Sequence, residues 1–306
     1  MTDSTVSSRD YFRAVLVVLG ATAFWSLSGV FVRWLPTELS GWQINAYRGL
    51  SAGFALLAYL VIVYGRGTWR RFRAIEPMAL VATVGFFSLG STFYVISLTL
   101  TGTANVACLT ATSPIFAAIL SPLVTRERPG AIAWVAAAIA LAGVVVVVGG
   151  EIRDGANFGS LVALFVAFCF AGQTVVLRRF REVDMVPAIC VGGFVIFALI
   201  APVLLVAPVD QGLDIGWRSI GVITVMGLVQ LALPLALYTY GARYLPAVPL
   251  TLIALLDVVF NPFWAWLGVG ERPAEGAYWG GSLIVLAVAA SVIAGRRAAR
   301  AVPETA

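Results

Sequence analysis

The chain has 306 residues, of which 60% are hydrophobic and 11% charged, and its mean hydropathy is +0.95. Soluble domains average about 45–50% apolar and about 25% charged residues, so these values exclude a water-soluble globular fold and disorder alike and point to an integral membrane protein. All 20 basic residues are arginine and there is no histidine, which removes the lysine of a Walker phosphate loop, the paired histidines of zinc proteases and the base of a Ser-His-Asp triad.

A bilayer core about 30 Å thick needs about 20 apolar residues per helix, and ten such segments follow in order. They run over 12–32, 41–64, 77–98, 103–125, 130–150, 158–178, 186–207, 217–240, 247–268 and 275–295. The first is too long for a signal-peptide apolar region and closes on Arg33-Trp34 instead of a small-residue cleavage site, so it is expected to remain in the mature protein. Cys108, Cys169 and Cys190 all sit inside apolar runs, where a thiol behaves as a small hydrophobe, and neither a disulfide nor a metal site is expected.

Cytoplasmic loops carry the arginine excess. With the N-terminus inside, 15 arginines fall on the cytoplasmic side, only Arg33, Arg153, Arg218 and Arg272 fall outside, and Arg48 lies within a segment. Both termini are therefore expected in the cytoplasm, and the net charge of +5 reflects topology, with no nucleic-acid partner implied.

Sliding the sequence against itself reveals a repeat. A shift of 144 positions carries the turn Thr125-Arg126-Glu127-Arg128-Pro129 onto Val269-Gly270-Glu271-Arg272-Pro273, Ala23-Phe24 onto Ala167-Phe168, Tyr94 onto Tyr238 and Phe116 onto Phe260. Five segments per copy is an odd number, so the second copy enters the membrane in the opposite sense. The expected fold is an all-α integral membrane protein of ten transmembrane helices, built as two inverted-topology five-helix repeats. The copies cover 12–150 and 156–295, followed by a cytoplasmic tail over 296–306. Alternating-access transporters are commonly built this way, with substrate held near the midplane between halves.

The ten-segment plan, the aromatic stretch Ala23-Phe24-Trp25-Ser26, the Tyr47-Arg48 pair and the fourth segment running through Pro114 to Glu127-Arg128 resemble the EamA-type members of the drug/metabolite transporter superfamily over residues 12 to 295. The stretch Leu255-Leu256-Asp257-Val258-Val259-Phe260-Asn261-Pro262-Phe263-Trp264-Ala265-Trp266 is most similar to the aromatic amino-acid exporters. That resemblance implies outward movement of aromatic and other neutral amino acids across the bacterial inner membrane, with no cofactor. The repeat departs from itself at one place. The position matching Pro114 holds Val258, with Pro262 a turn later, which leaves open whether the halves kink equivalently.

Charges in the hydrocarbon region cost about 2.5–3.5 kcal/mol on insertion scales and usually face a bundle interior or a cavity. Only Arg48 and Asp257 lie clearly inside the spans. Arg48 sits about 10 Å deep at 1.5 Å per residue and either clamps a substrate carboxylate with its planar fork or snorkels to the outer surface. Asp257 is read as a counter-charge for a substrate ammonium, as a proton-coupling carboxyl, or as a hydrogen-bonded tie between helices. A weaker set of polar and aromatic candidates comprises Trp25, Gln43, Asn45, Tyr47, Tyr94, Gln173, Gln230, Tyr238 and Asn261. Trp34, Trp42, Trp69, Trp217 and Trp279 lie near segment ends and read as interface anchors. Pro114, Pro202, Pro234 and Pro262 interrupt segments, and Pro114, Pro234 and Pro262 are expected hinges. Gly276 and Gly280 form a small-residue step, either inside the bundle or between protomers.

These features predict a secondary transporter exporting amino acids or similar small metabolites through the bilayer. A drug cation, nucleoside or sugar-like metabolite is the alternative substrate class. A non-transporting scaffold and an intramembrane enzyme are the readings from other classes. Proton exchange and facilitated diffusion are both compatible with Asp257.

Overall fold

A computed structural model describes residues 7–148, 158–206, 212–269 and 275–300. The Glu271-Arg272-Pro273 turn, Arg153, the join between the two expected repeats and residues 301–306 of the tail lie outside the described residues. The described chain is helical: α1 (Ser8–Trp25), α2 (Ser28–Arg33), α3 (Gly41–Tyr64), α4 (Thr68–Arg73), α5 (Pro77–Leu100), α6 (Thr103–Thr110), α7 (Ser113–Val124), α8 (Ala131–Val148), α9 (Phe158–Arg179), α10 (Val186–Val206), α11 (Trp217–Met226), α12 (Leu233–Gly241), α13 (Ala247–Ala254), α14 (Asp257–Val269) and α15 (Glu275–Arg300). A 3-10 turn at Gly65–Gly67 precedes α4, and a π-helical stretch, Gly227–Ala232, joins α11 to α12.

These helices lie where the sequence places its ten apolar segments. Among the described residues nine spans are long and apolar enough to cross a membrane, and Ala131–Val147 is a shorter apolar helix. The first and last helices overrun their expected ends by several residues, because Ser7 caps α1 by accepting from the Asp10 amide at 3.1 Å and α15 continues to Arg300. Side chains such as Ile62, Leu123 and Val206 are 82%, 75% and 86% exposed on the outer surface, where acyl chains replace water. Trp34, Trp69, Trp217 and Trp279 are exposed at helix ends, as the aromatic belt requires, whereas Trp42 packs against the core.

The packing follows the 144-residue shift. α8 lies along α15 and α3 along α10, each helix against its own counterpart, while the α5–α9 contact has its counterpart in α12–α1. Glycine permits the closest approaches: a Cβ on Gly193 would lie 2.7 Å from the Gly49 carbonyl oxygen, and one on Gly143 would lie 2.7 Å from the Gly280 carbonyl oxygen. The Gly276–Gly280 step is therefore occupied inside the bundle by α8.

The fourth and ninth spans break in the same register. α6 gives way to α7 at Ala111-Thr112, and α13 gives way to α14 at Leu255-Leu256, positions equivalent under the shift. Pro114 follows the first break on the opening turn of α7, whereas Pro262 lies inside α14, beyond the second break. A proline at the matching position is thus unnecessary for the kink. Pro202 lies inside α10, and Pro234 opens α12 directly after the π-helical stretch. α1 also breaks, at Ser26-Leu27, while its counterpart α9 runs unbroken.

Candidate functional site

A cavity of about 230 Å³ lies between α1, α3, α5, α9 and the α11–α12 span, lined by Trp25, Arg48, Tyr94, Phe170 and Gln173, with Phe86, Phe87, Gly90, Ser91, Val166, Leu231 and Leu235 completing its wall. Three local features build its wall around Arg48. The end of α1 frees the Trp25 carbonyl, which accepts from Gln230 Nε2 at 3.1 Å. The π-helical stretch carries Gln230, and such one-turn bulges recur at functional sites. The bulge comes close to α3, since a Cβ on Gly227 would lie 2.9 Å from the Arg48 carbonyl oxygen.

Arg48 is held by neutral groups. Its Nη2 donates to Asn45 Oδ1 at 2.9 Å and its Nη1 donates to Gln230 Oε1 at 3.2 Å. Asn45 in turn accepts from Ser91 Oγ at 2.9 Å and donates through Nδ2 to the Ser91 carbonyl at 3.1 Å. The guanidinium has five N–H donors, and Nε is buried without a partner. Among the described residues no carboxylate pairs with it. The arginine therefore does not snorkel; it presents an uncompensated positive charge to the cavity. Gln173 lines the same cavity with Nε2 buried and unpartnered.

The remaining candidates divide. Trp25 and Tyr94 line the cavity. Tyr238, 1% exposed, lies behind Trp25 with ring centroids 5.2 Å apart, and its hydroxyl shares a 2.8 Å hydrogen bond with Thr174 Oγ1. It braces the cavity wall from behind and does not line the cavity. Asn45 and Gln230 position Arg48. Gln43 and Tyr47 are elsewhere: Gln43 completes a capping box with Ser40 and donates to the Gly212 carbonyl at 2.9 Å, and the Tyr47 hydroxyl donates to the Leu213 carbonyl. The Ser40-x-x-Gln43 spacing in the sequence is the signature of that box. Asp257 stands in the first turn of α14, where the helix dipole favours an acidic side chain, and accepts from Asn261 Nδ2 at 3.4 Å. Neither residue lines the cavity, but the Tyr94 hydroxyl is within electrostatic reach of both Asp257 and Arg48.

The walls are related by the repeat yet differ in chemistry. Phe86, Phe87, Ser91 and Tyr94 of α5 correspond to Gln230, Leu231, Leu235 and Tyr238, so the shift that pairs the two tyrosines also nominates Phe86 and Phe87, which polarity alone does not single out. Arg48 corresponds to Gly192, where a Cβ would lie 2.5 Å from the Phe87 ring, and Asp257 corresponds to Ser113. One half thus contributes the cation and the other the acid.

Polar ties join the halves at both ends. Arg178 Nε donates to Glu127 Oε1 at 2.8 Å, its Nη2 approaches the same oxygen at 2.8 Å, and its Nη1 donates to the Arg243 carbonyl at 2.8 Å. Nearby in the chain, the Tyr64 hydroxyl donates to Asp184 Oδ2 at 3.2 Å, and the Arg71 guanidinium stacks 4.3 Å from the Tyr64 ring. The opposite end is tied by the neutral Gln43 and Tyr47 bonds.

The EamA-like transporter family model matches residues 12–149 and again residues 157–293. The chain belongs to the EamA-like transporter family. It is thus a multi-pass membrane protein of a transporter family, and the all-helical fold agrees with the two successive matches of the family model. Two relatives of Bacillus subtilis (strain 168) span nearly the whole chain. The uncharacterized transporter YdfC is 27% identical over 285 residues, covering 89% of this chain and 87% of its own. The uncharacterized transporter YwfM is 25% identical over 281 residues, covering 89% and 90%. A protein of known crystal structure superposes on 94% of this chain and 99% of its own with a TM-score of 0.78 at 18% identity, a likeness of fold.

Proposed function

We propose that this EamA-like transporter exports amino acids, aromatic and other neutral ones, or similar small metabolites across the bacterial inner membrane. It does so by alternating access of two inverted five-helix repeats, 12–150 and 156–295, with both termini in the cytoplasm. The observation that carries this reading is Arg48, an uncompensated cation facing a cavity walled by Trp25, Tyr94 and Phe170. A carboxylate restores neutrality there through a charge-assisted hydrogen bond, and the rings receive an apolar side chain. The volume of about 230 Å³ suits a metabolite, being smaller than the roughly 300–1,000 Å³ of sites for drug-sized ligands. A drug cation meets a like charge, and an uncharged nucleoside or sugar leaves Arg48 unpaired.

Asp257, near Tyr94 at the break of the ninth span, is the proposed coupling carboxyl, with Pro114, Pro234 and Pro262 flanking the segments that hinge. The counterpart contacts within the bundle support two exchangeable arrangements of the halves. Cells expressing the protein should lose preloaded phenylalanine faster, and resist toxic phenylalanine analogues better, than cells expressing Arg48→Ala. Equal efflux from both would remove Arg48 from the site.

A further inference from the structure

Among the described residues that line the cavity, Arg48 is the only charged side chain. Among the described lining residues, the buried polar atoms without a protein partner are Arg48 Nε and Gln173 Nε2, and both are N–H donors. Asn45 Oδ1 and Gln230 Oε1 are already taken up by Arg48, and Ser91 Oγ donates to Asn45. Among the described residues no carboxylate lines the cavity; Asp257 lies outside its lining and accepts from Asn261. An entering ligand therefore finds a cation, the neutral Gln173 amide and Tyr94 hydroxyl, and ring faces, with no anion among the described lining residues to receive a positive group.

From this we infer that the cavity is a site for small aromatic monocarboxylates and that a ligand's amino group is not part of its recognition. The inference rests on reading the cavity as the substrate site. It extends the substrate class to amine-free aryl carboxylates, of which 3-phenylpropanoate is the simplest analogue of phenylalanine. The carboxylate takes Arg48 Nε, and Gln173 Nε2 stands ready as a second donor. The ring lies among Trp25, Phe86 and Phe170, of which Trp25 and Phe170 are already in edge contact at 6.2 Å. An α-ammonium sits next to its own carboxylate and so is brought towards the guanidinium, where like charges repel. Removing it costs the ligand no partner. Phenethylamine, which keeps the ring and the ammonium but lacks the carboxylate, has the opposite charge pattern.

The test is equilibrium binding of radiolabelled 3-phenylpropanoate, phenylalanine and phenethylamine to the full-length protein in lipid nanodiscs. 3-Phenylpropanoate should bind saturably. Phenethylamine should bind at least about tenfold more weakly, as loss of one charge-assisted hydrogen bond implies. Arg48→Gln should weaken 3-phenylpropanoate by at least about tenfold, and Gln173→Leu, which keeps the charge, should weaken it by a few-fold. Phenethylamine binding as tightly as 3-phenylpropanoate would overturn the inference. So would phenylalanine binding while 3-phenylpropanoate does not, because the ammonium is then a recognition element. Binding of 3-phenylpropanoate without binding or transport of phenylalanine would support the inference and remove amino-acid export. Failure of both carboxylates to bind folded protein would remove both.

Discussion

Gly49 of α3 and Gly193 of α10 occupy the same position in the two copies of the repeat and face each other where those helices cross. A Cβ on Gly193 would lie 2.7 Å from the Gly49 carbonyl oxygen, and one on Gly49 would lie 2.8 Å from Ile196. Backbone obstructs Gly193, so no side-chain rotation relieves the overlap.

Replacing Gly193 with Ala should therefore destabilise the bundle by about 1–3 kcal/mol, the usual cost of overpacking. Gly85→Ala, where nothing lies within 4 Å, should be neutral or slightly stabilising because alanine favours helix. Thermal unfolding in detergent separates the two variants. Equal melting temperatures would mean that the α3–α10 crossing is looser than described.

The Arg178–Glu127 pair ties the halves at the arginine-rich end. The Arg178 side chain is 6% exposed and that of Glu127 is 34%, so the pair lies between the surface and the buried limit. Arg178→Met should cost on the order of 2 kcal/mol, through an unpaired Glu127 and the Ala242 and Arg243 carbonyls left without their donor. The same unfolding assay reads the loss, and an unchanged melting temperature would reduce the pair to a surface contact.

Tyr47 and Tyr94 separate architecture from site. Tyr47→Phe removes the bond to the Leu213 carbonyl and should cost about 1 kcal/mol of stability while leaving the apparent KM for substrate unchanged. Tyr94→Ala removes a wall of the cavity and should raise that KM. A larger KM effect at Tyr47 than at Tyr94 would relocate the site.

Much of this was legible in the sequence because bilayer thickness and hydropathy together dictate span length. The ten segments and the 144-residue repeat followed from apolar runs and one ungapped shift, and Arg48 stood out as a charge in an apolar segment. What could not be read was how the side chains pair across helices. Gln43 and Arg48 lie in the same helix; the Ser40-x-x-Gln43 box was legible in the spacing, but the bond from Gln43 to Gly212 and the neutral hold of Gln230 on Arg48 join residues far apart in the chain. The aromatic wall from Phe86 and Phe170 carries no polarity signal, since phenylalanine is ordinary in any transmembrane helix. The break at Leu255-Leu256 has no proline at the matching position to announce it, and the π-helical stretch that carries Gln230 has no residue signature.

The most direct test of the central claim is uptake of radiolabelled phenylalanine into proteoliposomes holding the purified protein, with and without an imposed pH gradient and with other amino acids as competitors. Saturable uptake that other neutral amino acids block, that Arg48→Ala abolishes and whose response to the gradient disappears in Asp257→Asn is the expected result. Folded wild-type protein that moves no phenylalanine, or that moves it equally well without the Arg48 guanidinium, would contradict the account.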